Sequence, residues 1–337
     1  MREESHAVRI PRTSAENARK ILARTGLIVP HLRPYPEGNM IVFPVRDPQE
    51  ALKELQARGI EAQPARARFE VRRRRPGRLE GPVKGYVVVG DIAVFSKTLR
   101  VPLEAYKEAA EALLKAQPRI KAAWLKTETS GEERVPRLLH LAGEDRTRTV
   151  AREYGIPLIV DLARAYYNPR LSGEHRRIAG QTRNGEKILD MFAGIAGFAV
   201  HIAVTREALV AANDINPYAI DLAAESLEIN KKRLKGRVVL LQGDSAMLGE
   251  LLEPVFDRVI LNLPSKSPQY ARVACKLTRR TGYHHYYVKA QTCDEATNTV
   301  ARSIAEADCR ILKSKCKRVL EYSPRLSIYV VDVVVER

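Results

Sequence analysis

The chain has 337 residues, enough for two or three domains at roughly 100 to 200 residues each. No apolar run approaches the ~18 residues of a membrane span, and the N-terminus shows neither a signal-peptide apolar region nor an acid-poor transit segment, so a cytoplasmic protein without a membrane partner is expected. The net charge of +17 attracts polyanions. That charge is clustered, with 17 Lys and Arg against 10 Asp and Glu in residues 1–80, which favours a nucleic-acid contact over diffuse solubilisation.

In chain order, the first sixty residues read as a small α/β module. Thr13-x-x-Glu16 has the pattern of a capping box opening a helix to about Arg24, closed at Gly26. Ile41–Val45 reads as a short strand that Pro44 would confine to a sheet edge. Asp47-Pro48-Gln49-Glu50 supplies an N-cap, a proline at N1 and a first-turn acid for a second helix ending at Gly59. Residues 1–62 are therefore taken as one module. Pro64 to Pro82 hold proline, glycine and the run Arg72, Arg73, Arg74, Arg75 with little apolar periodicity, so residues 63–84 are expected to form a basic linker whose arginines contact phosphate.

Residues 85–165 give a strand (Tyr86–Phe95), a helix (Pro102–Lys115) and strands near Ala122–Lys126, Arg134–Leu139 and Leu158–Val160, with a hairpin turning at Ser130-Gly131. This is the pattern of a compact α+β middle domain. Residues 166–337 alternate: a helix from Glu174 to about Gly180, strands at Ile188–Asp190, Leu209–Asp214, Val238–Leu241, Val259–Asn262 and Tyr283–Val288, and helices after Gly197 and over Pro217–Asn230. The βαβ rhythm predicts an α/β fold with a doubly wound, mainly parallel, Rossmann-type sheet and a ligand outside the strand C-termini.

Cys275, Cys293, Cys309 and Cys316 make no Cys-x-x-Cys spacing and are expected as free thiols packing as small hydrophobes. A Cys309–Cys316 or other disulfide is the alternative that a hyperthermophilic source would favour. The seven histidines show no ligand spacing around acids or cysteines, so no metal site is expected. His284 and His285, inside a predicted strand, read as packing or phosphate-facing residues.

Asp190, Asp214 and Asp244 stand at or just past the ends of successive strands, and the amide Asn262 follows at the next, so all four should face one crevice. Asp190-Met-Phe-Ala-Gly194-Ile-Ala-Gly197 lets the backbone approach a ligand, yet lacks the Gly-x-Gly-x-x-Gly spacing of a dinucleotide site. Asp214 follows Asp190 by 24 residues, near the ~20-residue offset at which an acid reaches ribose hydroxyls. A nucleoside cofactor without phosphates fits better than a dinucleotide.

In this order, Asp190-x-Phe-Ala-Gly, Asp214-Ile-Asn-Pro, Gly-Asp244 and Asn262-Leu-Pro264 resemble the Rossmann-type methyltransferases. Tyr166-Tyr-Asn-Pro-Arg170-Leu-Ser-Gly-Glu174-His-Arg176 narrows the resemblance to the archaeal and eukaryal tRNA guanine-37 N1-methyltransferases, whose motif reads Tyr-Phe-Asn-Pro-Arg-Leu-Ser-x-Glu-Arg. His140-Leu-Ala-Gly-Glu144, His285-Tyr-Tyr287 and Tyr322-Ser-Pro-Arg325 resemble further landmarks of that family. Two departures stand out: Gly194-Ile-Ala196-Gly197-Phe198 where the family has Gly-x-Gly-Pro-Phe, and a polar Ser265-Lys-Ser-Pro268 after Asn262-Leu-Pro264.

The resemblance implies S-adenosylmethionine as cofactor, bound by Tyr166, Arg170, Asp190, Phe192, Gly194, Asp214, Ile215, Asp244 and Asn262. Asp190 and the Gly194 region would line its methionine end, Asp214 the ribose and Asp244 the adenine edge. Methylating N1 of guanine requires removing a proton and stabilising charge on O6. The resemblance assigns the proton to Glu174, O6 to Arg134, the grip on the base to Asn262 and Pro264, and the site entrance to Tyr166. It implies tRNA as partner, through the anticodon loop and, via the N-terminal module, the outer corner of the molecule; no obligate protein partner is expected. The alternatives are a wyosine-pathway transferase, moving an aminocarboxypropyl group or methylating a wyosine precursor, and a non-catalytic RNA-binding protein that uses the linker arginines.

Overall fold

Strand β1 (Arg2–Pro11) puts Val8 and Ile10 on one face and Ala7 on the other, the period of two that a buried strand needs. The computed structural model describes residues 2–29, 32–70, 82–83, 85–98, 101–130, 135–323 and 325–337. They fall into two compact units, within residues 1–78 and 79–337.

In the first unit β1 is followed by α1 (Ala15–Arg24), β2 (Tyr35–Glu37), β3 (Met40–Pro44), α2 (Pro48–Gln56) and β4 (Gln63–Glu70). The sheet order is β2-β3-β1-β4, all antiparallel. Ala18, Leu22, Ala51 and Leu55 of the two helices cover Val8, Ile10 and Phe43. Three expectations are corrected. A short 3₁₀ turn over Arg12–Ser14 absorbs Thr13, and the capping box does not form: Ser14 caps α1 without a side-chain hydrogen bond. β3 is internal rather than an edge; Pro44 is tolerated because it is the strand's last residue, opposite Ala7. The basic linker does not begin at residue 63, since Gln63–Glu70 pairs with β1 from Arg9↔Gln63 to Arg2↔Glu70. As the outer strand it exposes nearly every side chain except Phe69, which is why its apolar periodicity is invisible. The Asp47 cap on α2 forms as expected, accepting from the Gln49 and Glu50 N–H groups. Arg72, Arg73, Arg74 and Arg75 lie outside the described residues.

The second unit opens with a four-stranded sheet, β5 (Tyr86–Val89), β6 (Ile92–Ser96), β7 (Ala122–Ser130) and β8 (Val135–Gly143), with α3 (Leu103–Ala116) between β6 and β7. The single strand expected over Tyr86–Phe95 is a hairpin, turned at Gly90 with φ +58°. β7 and β8 pair antiparallel, and the residues of the expected turn at 131–134, Arg134 among them, lie outside the described residues. A hairpin of β9 (Arg148–Glu153) and β10 (Ile156–Asp161) follows.

The remainder is α4 (Ser172–Gln181), β11 (Lys187–Asp190), α5 (Gly197–Thr205), β12 (Leu209–Asp214), α6 (Pro217–Asn230), β13 (Arg237–Gln242), α7 (Leu248–Leu251), β14 (Phe256–Leu261), α8 (Ala271–Leu277), β15 (Thr278–Ala290), α9 (Cys293–Ala305), β16 (Arg310–Ser323) and β17 (Leu326–Glu336). Seven strands run in order β13-β12-β11-β14-β15-β17-β16, parallel except that β17 is antiparallel to both neighbours. Residue 165 does not separate two cores: Val89, Ile92 and Trp124 share one apolar cluster with Ile188 and Val210. The β9-β10 hairpin is tied to α6 by hydrogen bonds from Ile159 N to Ser226 Oγ (2.8 Å) and from Asn230 Nδ2 to Pro157 O (2.7 Å).

The cysteines are not free thiols. Cys275 is bonded to Cys309 and Cys293 to Cys316, with Cα separations of 6.0 and 5.9 Å. Those separations are ordinary for disulfides, and folding α8, α9 and β16 together brings about a pairing that sequence spacing does not reveal. Among the described residues no helix is long and apolar enough to cross a membrane.

Candidate active site

The strand order reverses at β11, with β12 on one side and β14 on the other, and such a switch point leaves a crevice beyond the strand C-termini. A cavity of about 410 Å³ occupies it, within the range of small-molecule sites. Tyr166, Phe192, Gly194, Asp214, Ile215, Asp244 and Asn262 all line it, so seven of the residues singled out in the sequence meet in one place. Tyr167, Asn168, His175, Ser245, Lys266 and Tyr270 add to the wall.

Hydrogen bonds between successive strand ends hold this wall. Asp214, the last residue of β12, accepts from Gly194 N (2.7 Å) and Asn216 N (3.0 Å), pinning the loop after β11. Its neighbour Asn213 donates to Gly243 O and Ser245 Oγ, both at 3.0 Å, and Ser245 Oγ donates to Met191 O (2.5 Å). The loops after β11, β12 and β13 are thus cross-linked by three side chains, those of Asp214, Asn213 and Ser245. Ala196, at the family's second glycine, adopts φ +60° and is fully buried, so the loop carries a left-handed residue with a side chain. Gly197 has no such freedom to spare: a Cβ there would stand 2.5 Å from His175 Cε1.

Asp190 and Arg170 are not on the cavity wall. Asp190 is fully buried behind it at the end of β11, and Arg170 is exposed on the turn before α4. Among the described residues neither Asp190 oxygen has a hydrogen-bond partner, the nearby Phe192 N–H falling short of bonding geometry. Burial, and then the Asp214 charge, push its carboxyl up to about 8.

Asn262 faces the cavity, while Pro264 is buried and its carbonyl accepts from Lys289 N (3.0 Å). The polar continuation of that loop has a structural role: Ser267 Oγ donates to Tyr287 O (2.6 Å), fastening the loop to β15.

Glu174 sits in the first turn of α4, 4% exposed and beside the cavity rather than on its wall. Oε2 accepts from Arg177 Nε (2.8 Å) and the Tyr287 hydroxyl (2.9 Å), and Oε1 from Lys317 Nζ (3.1 Å). Burial alone would raise its pKa, but the Arg177, Tyr287 and Lys317 donors outweigh that and hold the carboxyl below its usual range. A chain of half-buried and buried groups continues the network. Arg177 is paired with Asp332 (2.6 Å), Asp332 with His285 Nδ1 (2.6 Å), His285 Nε2 with Arg258 (2.6 Å) and Arg258 with Glu186 (2.9 Å). Because Nε2 accepts from a guanidinium, His285 is the neutral tautomer with its proton on Nδ1, and burial lowers its pKa. His284 is buried as well, against Thr278 Oγ1 (2.6 Å), so both histidines pack and neither faces phosphate. Arg134 lies outside the described residues.

Lys317 and Asp332 carry no motif in the sequence; Lys317 and Tyr287 reach Glu174, and Asp332 reaches Arg177, through the pairing of β15, β17 and β16, whereas Arg177 stands one turn along α4 from Glu174. A second group is equally illegible: Glu153, His175 and His201 are buried together, each offering a ligand atom within 4.8 Å of the others, although they are spread over 49 residues, a range that no ligand motif spans.

Residues 149–312 match the family described as the TRM5/TYW2 methyltransferase domain. The tRNA (guanine(37)-N(1))-methyltransferase Trm5b of Methanocaldococcus jannaschii is 30% identical over 98% of both chains. Among solved structures, M. jannaschii Trm5 in complex with adenosine superposes with a TM-score of 0.63 at 28% identity, covering 97% of this chain and 98% of that one. The complex of aTrm5 with tRNALeu gives 0.65 at 27% identity, covering 97% and 99%.

Proposed function

The chain belongs to the tRNA guanine-37 N1-methyltransferase family, and from that premise we propose how its residues divide the work of one methyl transfer. It transfers a methyl group from S-adenosylmethionine to N1 of guanosine 37 in tRNA. The observation that carries the reading of the site is the meeting of Asp214, Asp244 and Asn262 on one cavity wall at the strand switch point.

The donor set suits a nucleoside cofactor. The wall carries two carboxylates, Asp214 and Asp244, with Lys266 as its one cation among the described lining residues, a balance that accepts hydroxyl and amine donors and repels a pyrophosphate. Ile215 is 44% exposed beside Asp214 and offers an apolar face to a base. We assign Asp214 to the ribose hydroxyls, Asp244 to the adenine edge, and Tyr166, Phe192 and the Gly194 loop to the methionine end. Asp190 supports that loop from behind. S-adenosylmethionine, when bound, supplies an electrophilic methyl group on a sulfonium.

The residues of the chain handle the acceptor. Asn262 can donate to and accept from a base edge at once, and the loop that carries it is fastened through Pro264 and Ser267 to β15. Glu174 takes the N1 proton and Arg134 stabilises the charge on O6. A carboxylate held by three donors is a weak base until one of them leaves. Lys317, 55% exposed at its side chain, is the most accessible of the three. The tRNA meets the anticodon-loop side of this site, the arginines Arg72 to Arg75 contribute phosphate contacts, and residues 1–62 reach the outer corner. The protein works in the cytoplasm.

Glu174→Gln tests the assignment, because it keeps the shape and removes the basicity. Single-turnover methylation of a tRNA bearing guanosine 37, followed by mass spectrometry of nucleosides, should slow by about 10²–10⁴ with cofactor affinity unchanged. The variant should partly recover at high pH, where guanine sheds the N1 proton unaided. Equal rates for variant and native protein at neutral pH would exclude Glu174 as the base.

A further inference from the structure

We propose that Glu153, His175 and His201 form a binding site for a divalent transition-metal ion, with zinc the best match, next to the cofactor cavity that His175 helps to line. Glu153 ends β9, His175 lies in α4 and His201 in α5. All three are buried, and their ligand atoms lie within 4.8 Å of one another. His175 Nδ1 is 2.7 Å and His201 Nε2 3.0 Å from the same carboxylate oxygen, Glu153 Oε2. Ligands about 2.0–2.2 Å from a tetrahedral zinc stand about 3.4 Å apart, so His175 and His201 would each draw back from the carboxylate oxygen by less than about 1 Å to admit the ion.

The hydrogen bonding singles out the same point. His175 makes a good hydrogen bond to Glu153, but His201 Nε2 has no partner of acceptable geometry despite its 3.0 Å approach. This nitrogen, on a side chain only 2% exposed, is left unsatisfied, as buried polar atoms seldom are. A cation between the two rings and the carboxylate satisfies all three groups. The surroundings are built for it. Tyr167 donates to the other carboxylate oxygen, Glu153 Oε1 (2.8 Å), the kind of orienting bond that metal-ligating carboxylates receive. Phe198 packs edge-on against His175, with ring centroids 4.5 Å apart, and the Tyr154 ring stands perpendicular to His201. The missing Cβ of Gly197 leaves the space that the His175 ring fills.

The site is a staple rather than a reaction centre. It joins the end of β9 to α4, where His175 directly follows Glu174, and to α5, whose first residue is Gly197 of the cavity loop. Two segments that carry the methyl-transfer machinery are locked to the end of β9 at one point. This inference stands independently of the roles given to Glu174 and Arg134.

The test uses the full chain, stripped with a chelator and titrated with Zn²⁺ alone by calorimetry, then with Co²⁺ by visible absorption. The expected result is one ion per chain, a cobalt spectrum of tetrahedral or five-coordinate type, and a thermal midpoint raised by several degrees in excess Zn²⁺. His201→Phe, which keeps an aromatic ring in the same packing, should lose both the stoichiometric binding and the thermal shift. Binding that survives His201→Phe places the ion elsewhere and overturns the proposal, as does no binding to the native chain, which would leave a hydrogen-bonded carboxylate and imidazole cluster only. If His201→Phe does not fold, X-ray absorption of the native cobalt complex decides: two imidazole ligands support the site, and fewer overturn it.

Discussion

Asp190→Asn isolates the cost of the one carboxyl that the fold buries without a hydrogen-bond partner among the described residues. Asp190 is fully buried at the end of β11, next to Asp214, and its pKa is pushed from 3.8 up to about 8 by burial first and the Asp214 charge second. The folded state therefore holds this proton more tightly than the unfolded chain does. Its contribution to stability is fully present below pH 4, and is lost as the pH rises through about 8. At about 1.36 kcal/mol per pK unit, a rise of roughly four units amounts to at most about 6 kcal/mol, of which about 4 falls between pH 5 and pH 9. Asparagine has almost the same shape and does not titrate. Denaturant unfolding of both proteins across that range should show the native chain losing several kcal/mol relative to the variant, with most of the difference gained between pH 5 and pH 8. Parallel stability curves would refute the reasoning, and would mean that a donor or a buried water already satisfies the ionised carboxylate.

The two disulfides, closing separations of 34 and 23 residues, should each contribute about 3 to 4 kcal/mol by loop-closure entropy; Cys275→Ser with Cys309→Ser should lower the unfolding free energy by about that much, and an unchanged thermal midpoint after full reduction would contradict it. Asp214→Ala removes the acceptor of the Gly194 N–H and the residue assigned to the ribose, so calorimetry should show cofactor affinity falling about 10- to 100-fold while the protein stays folded. Gly197→Ala puts a methyl group 2.5 Å from His175 Cε1 in a packed region, and denaturant unfolding should register a loss of about 1 to 3 kcal/mol.

Part of the cavity wall was legible because strand ends leave local marks. Asp214 is followed by Asn216-Pro217, an N-cap and a first-turn proline, and Gly194 and Asn262 likewise stand where a βα connection must turn. A parallel sheet then has no choice but to bring such positions to one edge. Some strands were harder: β4, an outer strand, buries only Phe69, and β1 hides its apolar residues among charged ones. Expected signals also failed where a neighbour pre-empted them, as the 3₁₀ turn did at Thr13.

What the amino-acid sequence determined by itself is the βαβ order, the acids and amide at the strand ends and the family to which they point. Each of these depends on residues within a few positions of one another or on a repeat that the backbone enforces. Only the tertiary structure decided the surroundings of Glu174, where Tyr287 of β15 and Lys317 of β16 join Arg177 from the same helix, and it alone moved Asp190 behind the cavity wall. It also decided the cysteine pairing and the meeting of Glu153 with His175 and His201. Contacts of this kind depend on which strand lies beside which and at what register, and that is fixed by burying the whole apolar surface at once, a condition no short window of sequence contains.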